Sequence, residues 1–332
     1  MQKILVIQTA FIGDVVLATG ILEKLHAFYP NSIIDILVRK GNESLFTQHP
    51  FIHQVLIWNK KSHKYSNLIR TIKQIRANRY TQVINLQRYA ATGLITVFSG
   101  AKQTIGFNKN PFSLLFSKSI KHHFSEGQTE LHEIERNHQL IAAFTNEFAA
   151  KPKLYPTLAD QSSIAAYTAL PFICIAPASV WYTKQFPAQK WIDLIQALPS
   201  RYTIYLLGAP SDHALCTDLV VTDSFMRTHN LAGKLNFLAS AALMQQAEMN
   251  YVNDSAPMHF ASAVDAPVTA VYCSTIPAFG YGPLSSKSHI VELSEALPCR
   301  PCGIHGQKQC PEKHFNCAQK ISTQQLLAVL TV

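Results

Sequence analysis

The chain has 332 residues, of which 48% are hydrophobic and only 15% charged, a balance that excludes a disordered chain and leaves much apolar surface to bury. That length exceeds one ordinary core and fits two domains, and no stretch approaches the twenty or so apolar residues of a membrane span. The net charge of +9 is uneven: residues 1–150 hold 17 Lys and Arg against 9 Asp and Glu, whereas 151–332 hold 12 against 11, so the first half favours an anionic partner.

Lys3 to Gln8, rich in Ile and Val, reads as a buried parallel strand. The chain turns through Gly13, and Asp14 opens a helix that ends near Tyr29-Pro30. Strands follow at Ile33–Val38, Val55–Trp58 and Gln82–Leu86, with a helix over Ser66–Asn78 and a short buried helix at Ala90–Phe98. Lys151-Pro-Lys-Leu-Tyr-Pro156 is a proline-bracketed linker. The pattern then restarts, with strands at Phe172–Ala176, Tyr202–Leu207, Met249–Val252 and Val268–Tyr272. Helices are expected over Ala188–Leu198, Asp212–Val221 and Leu235–Gln246, and from Ala256. Alternating strands and helices give two α/β units with doubly wound parallel sheets, whose ligands sit at the C-terminal strand ends.

Three strand-to-helix junctions carry chemistry. In Gln8-Thr-Ala-Phe-Ile-Gly-Asp14 the acid is either a helix cap or a general base at the sheet edge, and the loop lacks the GxGxxG spacing of a dinucleotide dehydrogenase. In Ile175-Ala-Pro-Ala-Ser-Val-Trp-Tyr-Thr-Lys-Gln-Phe-Pro187, Ser179, Thr183 and Lys184 can meet a phosphate, or form an ordinary solvated loop. In Asn253-Asp-Ser-Ala-Pro-Met-His259, Asp254 or Ser255 caps a helix whose free N–H groups can receive an anion. His259 on its own reads equally as a packed histidine.

Two further features stand apart. Arg39 to Arg79 holds nine basic residues and one acid, Glu43. Within it Arg70, Lys73 and Arg76 line one helical face and Leu68, Ile69, Ile72 and Ile75 another, as in a helix that lies near anionic head groups or simply has a solvated side. Seven cysteines are present. Cys174, Cys216 and Cys273 read as buried reduced thiols, whereas Cys299, Cys302, Cys310 and Cys317 are spaced either as zinc ligands or as structural thiols. The apolar N-terminal run is broken by Asp14 with no small-residue cleavage site, so a cytoplasmic protein is expected.

Together these segments resemble glycosyltransferase family 9, the ADP-heptose:lipopolysaccharide heptosyltransferases. Gly13-Asp14 looks like the family's Gly-Asp pair. Ala176-Pro-Ala-Ser-Val-Trp-Tyr-Thr-Lys184 with Phe186-Pro187, and Asn253-Asp-Ser-Ala-Pro-Met-His259, look like its two donor loops. Ser274-Thr-Ile-Pro277 with Tyr281-Gly-Pro283 looks like the segment that follows, and the cysteine tail resembles one in the heptosyltransferase II branch. The resemblance implies a GT-B fold, two Rossmann-like domains facing a cleft. The acceptor domain spans 1–155 and the nucleotide-sugar domain 165–317, with a C-terminal helix of about 318–332 packing back on the first.

It implies an inverting transfer of heptose from ADP-heptose to the lipopolysaccharide core, with Asp14 as base and Lys184 on the leaving diphosphate. Donor contacts then fall on Ser179, Thr183, Lys184, Leu235, Asp254, Ser255 and His259. Acceptor contacts fall on Gly13, Lys60, Lys61, Lys64 and Arg88. No metal is essential, and no Asp-x-Asp motif appears to hold one; a structural zinc at the four tail cysteines stays open. The expected partners are the donor, an anionic core acceptor and the inner face of the inner membrane as a peripheral surface; no nucleic-acid module appears. Ala178 and Ala256 stand where the family usually has Gly, and Pro257 where it has Leu. These departures keep two alternatives open: another nucleotide sugar, or a nucleotide-sugar-binding homologue without catalysis.

Overall fold

The computed structural model describes residues 2–60, 62–123 and 131–330; Lys61, named above as an acceptor contact, lies outside them. The chain divides into two compact units, Met1–Tyr155 and Pro156–Val332, and the division falls inside the proline-bracketed segment.

In the first unit a six-stranded sheet comprises β1 (Lys3–Ile7), β2 (Ile33–Arg39), β3 (Ile52–Trp58), β4 (Gln82–Asn85), β5 (Gln103–Phe107) and β6 (Lys118–Ile120) in the order β3-β2-β1-β4-β5-β6. Every pairing is parallel. Four consecutive β1 residues, Ile4 to Ile7, are fully buried, as expected of a central strand covered on both faces. Ile7 pairs with both Leu37 and Asn85, so β1 marks the switch point where the strand order reverses and where doubly wound sheets place ligands. Asp35 in β2 is completely buried yet accepts hydrogen bonds from Tyr80 Oη (2.6 Å) and pairs with His53 Nδ1 (3.0 Å). Removing one donor to a buried carboxylate leaves it undersolvated, so Tyr80→Phe should destabilise the first unit by about 2 kcal/mol. Chemical denaturation followed by the fluorescence of Trp58, in the same core, checks this.

The helix Lys64–Asn78 buries Thr71 and Ile75 and half-buries Leu68 and Ile72, so the apolar stripe runs 68–71–72–75. Ile69, expected on that stripe, is 55% exposed, because it lies between the buried stripe and the solvent-facing row of Arg70, Lys73 and Arg76. The helix expected at Ala90–Phe98 forms over Ala90–Val97, and Phe98 is exposed just past its end.

The second unit repeats the topology. Strands β7 (Phe172–Ala176), β8 (Thr203–Leu206), β9 (Thr228–Asn230), β10 (Met249–Asn253), β11 (Val268–Tyr272) and β12 (Ser288–Glu292) form a parallel sheet ordered β12-β11-β10-β7-β8-β9. Here β7 and β10 flank the switch point. The tail is a correction to expectation. It forms short helices, Asn316–Gln319 and Thr323–Leu327, and belongs to the second unit. Ala318, Ile321, Leu326 and Val329 are buried in the core with Trp191, Leu194 and Ile195, and Tyr251 Oη donates to Leu326 O (2.9 Å). Buried Cys174, Cys216 and Cys273 are free thiols, as their apolar surroundings suggested. Among the described residues, no helix is long and apolar enough to cross a membrane.

Candidate active site

At the C-terminal end of β1 the chain leaves the sheet through Gln8 and Thr9, both buried, and enters the helix Ile12–Phe28. The helix starts two residues before the expected position: Phe11 is the N-cap, and Asp14 is the third helical residue. Its carboxylate is therefore not the N-cap. It instead accepts from the backbone N–H groups of Phe11 and of Asp14 itself, which lower its pKa. These bonds fix the carboxylate at a helix start, where the macrodipole also favours negative charge.

Burial outweighs that help. Desolvation, reinforced by the charge of Glu133, raises the Asp14 pKa to about 6, with Arg39 pulling the other way. Glu133 is itself held by Arg136 Nε at 2.9 Å. Neither Glu133 nor Arg136 was singled out in the sequence; both lie some 120 residues from Asp14, and no local pattern links them. A carboxylate poised near neutrality is suited to take a proton and to give it up again.

Cations gather on the same strand ends. Arg39, the last residue of β2, stacks its guanidinium over Phe11 at 4.9 Å. Lys60 donates to Thr9 O (2.8 Å) and lies over the Trp58 ring at 4.8 Å. Burial, then Arg39, lowers the Lys60 pKa to about 8. Lys64 opens its helix and lies 6.0 Å from the Tyr65 ring, and exposed Arg88 adds to the burial that lowers the pKa of His122. Thus Lys60 joins the Asp14 neighbourhood, whereas Lys64 and Arg88 make their contacts elsewhere in the unit. Gly13 is buried in the helix and offers backbone only. Beside Lys60, a groove of about 390 Å³ is lined by Lys40, Asn59, His63, Asn67 and Arg70 among others.

In the second unit the two motif loops meet at the ends of β7 and β10. Asn253, fully buried, ties them together: its Oδ1 accepts from Phe186 N–H (2.9 Å) and its Nδ2 donates to Pro177 O (2.8 Å). Next to it Lys184 Nζ and Asp254 Oδ2 form an ion pair at 2.6 Å, and Thr275 Oγ1 donates to the same carboxylate oxygen at 2.6 Å. The ammonium has three donors and Asp254 engages one; 15% of the lysine side chain remains exposed. Ser255 is the N-cap of the helix Ala256–Ala263 but makes no side-chain cap bond, and Pro257 lies in the first turn. Orphan N–H groups at such a start favour an anion.

Other expected donor contacts are placed differently. Thr183 has no exposed surface, and its hydroxyl accepts from Ser274 Oγ (2.9 Å) and Gln307 N–H (2.7 Å), so it builds the turn rather than facing an open site. Ser179 is half-buried, and its carbonyl accepts from Gln185 Nε2. Leu235 is not the start of a helix. It sits in the loop before Asn236, which caps the helix Phe237–Gln246 with a 2.8 Å bond to Ala239 N–H. His259 is buried within its helix.

The four tail cysteines are free thiols. Cys317 is buried in the core, the Cys299 Sγ lies 3.9 Å from His314 Nε2, and Cys302 Sγ points to Cys299 O. Burial, and after it the neighbouring tail thiols, raises the Cys302 and Cys317 thiol pKa values. Among the described residues no three His, Cys, Asp or Glu side chains are placed to hold a metal ion.

Comparison with known proteins agrees with this architecture. Lipopolysaccharide heptosyltransferase 3 of Escherichia coli is 25% identical over 282 residues, covering 80% of this chain and 82% of that protein. Lipopolysaccharide heptosyltransferase 2 of E. coli K12 is 23% identical over 322 residues, 88% of each. The structure of E. coli ADP-heptose lipopolysaccharide heptosyltransferase II superposes with a TM-score of 0.81 over 99% of this chain and 98% of that one, at 21% identity, which makes the fold GT-B. The model of glycosyltransferase family 9 (heptosyltransferase) matches residues 68–315. The chain is therefore a glycosyltransferase and belongs to family 9, the heptosyltransferase family.

Proposed function

We propose that the protein transfers a heptose from ADP-heptose to the inner core of lipopolysaccharide, with inversion at the anomeric carbon. The observation that carries this reading is the Asp14 carboxylate: held on a helix start, its pKa raised to about 6, among Arg39 and Lys60. Asp14 removes the proton from the acceptor hydroxyl as that oxygen attacks the anomeric carbon. The bond to the diphosphate breaks, and the electron pair leaves with ADP. Lys184 and the helix start after Ser255 stabilise the growing negative charge, which in such sites contributes several kcal/mol. A nucleoside diphosphate leaves without protonation, so one carboxylate suffices, unlike a glycosidase pair. No step calls on a metal.

The acceptor side follows from charge. The groove lined by Lys40 and Arg70, and the exposed row Arg70, Lys73 and Arg76, suit a phosphorylated, acidic saccharide at an anionic membrane surface. Binding to vesicles of anionic lipid should then fall steeply with salt. The deciding experiment offers defined truncated lipopolysaccharides with ADP-heptose, UDP-glucose or GDP-mannose, and follows product mass. Product with ADP-heptose and a one-heptose core supports the reading. Transfer only from another nucleotide sugar would reassign the donor, and ADP binding without transfer from any of them would make the chain a binding homologue.

A further inference from the structure

One segment of the second unit reaches the donor loop from far along the chain. Thr183 N–H donates to Gln307 O (3.1 Å), and Gln307 N–H donates back to Thr183 Oγ1 (2.7 Å), a reciprocal pair across 124 residues. Ser274 adds two more bonds to the same residue, its N–H to Thr183 O (3.2 Å) and its hydroxyl to Thr183 Oγ1 (2.9 Å). Cys302 N–H donates to Ser274 O (2.9 Å), which brings the incoming tail to Ser274. Gly306 then packs directly on the neighbouring lysine. A Cβ added there would lie 2.8 Å from Lys184 Cγ and 3.1 Å from Thr183 Oγ1. The contact is on the stem of the lysine, so relieving it moves the ammonium at its end.

We propose that Gly306 and Gln307, with Ser274, are positioning residues that hold the Thr183–Lys184 turn so that the ammonium meets the donor diphosphate. The proposal rests on the diphosphate role given to Lys184 above. It assigns the cysteine-bearing tail a mechanical part in donor binding. None of the three touches the reacting atoms; they act through Lys184.

The fold supplies its own control. Gly303 and Gly306 both have left-handed backbones, φ +86° and +72°, but a Cβ at Gly303 would have nothing within 4 Å. Alanine at either position therefore carries the same backbone strain, and only Gly306→Ala also pushes on Lys184. Titration calorimetry of the full chain with ADP reads the difference, beside melting temperatures for each variant. Gly306→Ala should weaken ADP binding about tenfold, the scale of a displaced charge-assisted contact, with Gly303→Ala within about twofold of the parent and a similar melting temperature. Equal ADP affinity in the two alanine variants, with Lys184→Gln weak, would overturn the brace and leave the diphosphate reading intact. ADP affinity unchanged in Lys184→Gln would instead overturn that reading, and the brace with it. Should Gly306→Ala not fold, Ser274→Ala decides: it deletes one hydroxyl without strain, and should weaken ADP about threefold, whereas parent-like affinity refutes the proposal.

Discussion

Asp14→Asn should cut turnover by about 10²–10⁴-fold, the range that general-base catalysis contributes, while the fold and ADP binding persist. The carboxamide keeps an oxygen to accept from the Phe11 N–H, so the helix start is preserved and only basicity is lost. The pH dependence has a fixed sign. A base must be ionised to act, so in the parent kcat/KM should fall as pH drops below about 6, the pKa to which burial and Glu133 raise Asp14. The Asn variant should lack that limb in its residual rate. Stability moves the opposite way. The folded-state pKa lies above the ordinary value of 3.8, so the folded chain holds a proton that the unfolded chain releases. Asp14 thus weakens the fold increasingly from about pH 4 to about pH 6, and by a constant amount above that. Asn removes the penalty, so the variant should melt at or above the parent temperature at pH 7 and lose that advantage at pH 4. A variant that is inactive yet no less stable marks a residue kept for chemistry at the expense of stability. A near-parental rate in Asp14→Asn would remove the base from the mechanism.

How far the sequence led depends on where the determining contacts lie. Strands β7 and β11 are legible to the residue because Phe172–Ala176 is an unbroken apolar run and Val268–Tyr272 is interrupted only by Thr269, both at or near the sheet centre, where burial on both faces sets the pattern. Strands β5, β6, β9 and β12 carry no such pattern. All four lie at or next to a sheet edge, and their residues are mixed: Lys118-Ser-Ile120 and Thr228-His-Asn230 have no apolar face to count. In β5, Gly106 breaks the run because a Cβ there would lie 2.6 Å from the Phe116 ring, a constraint that only the folded chain reveals. Strands of this kind form because a parallel neighbour offers its hydrogen bonds.

The site divides the same way. Asp14, Lys184 and Asp254 sit at strand-to-helix junctions, which local pattern reveals. That Lys184 pairs with Asp254 across 70 positions, that Glu133 raises the Asp14 pKa, and that Thr183 is stitched to Gln307 are consequences of topology. Thr183 shows the limit most clearly. A hydroxyl beside a lysine in a polar loop is the pattern of a phosphate contact, yet here its oxygen is taken by Ser274 and Gln307.

Removal of the Lys184 charge is the counterpart to loss of the base, and it has two separable consequences. Lys184→Gln should lower turnover by about 10²–10³-fold, the effect of deleting one preorganised donor to developing negative charge. It also leaves Asp254, 8% exposed at its side chain, with Thr275 as its remaining hydrogen-bond donor. An under-compensated carboxylate in that position should destabilise the second unit by about 2 kcal/mol, less than for a fully buried pair because both partners retain some water. The double variant Lys184→Gln/Asp254→Asn separates the two. Two amides bond to one another without charge, so the melting temperature should recover toward the parent, whereas turnover should stay as low as in Lys184→Gln. If the double variant instead regained activity along with stability, the ion pair would be a scaffold, and the charge on the leaving diphosphate would have to be met by the helix start after Ser255 alone.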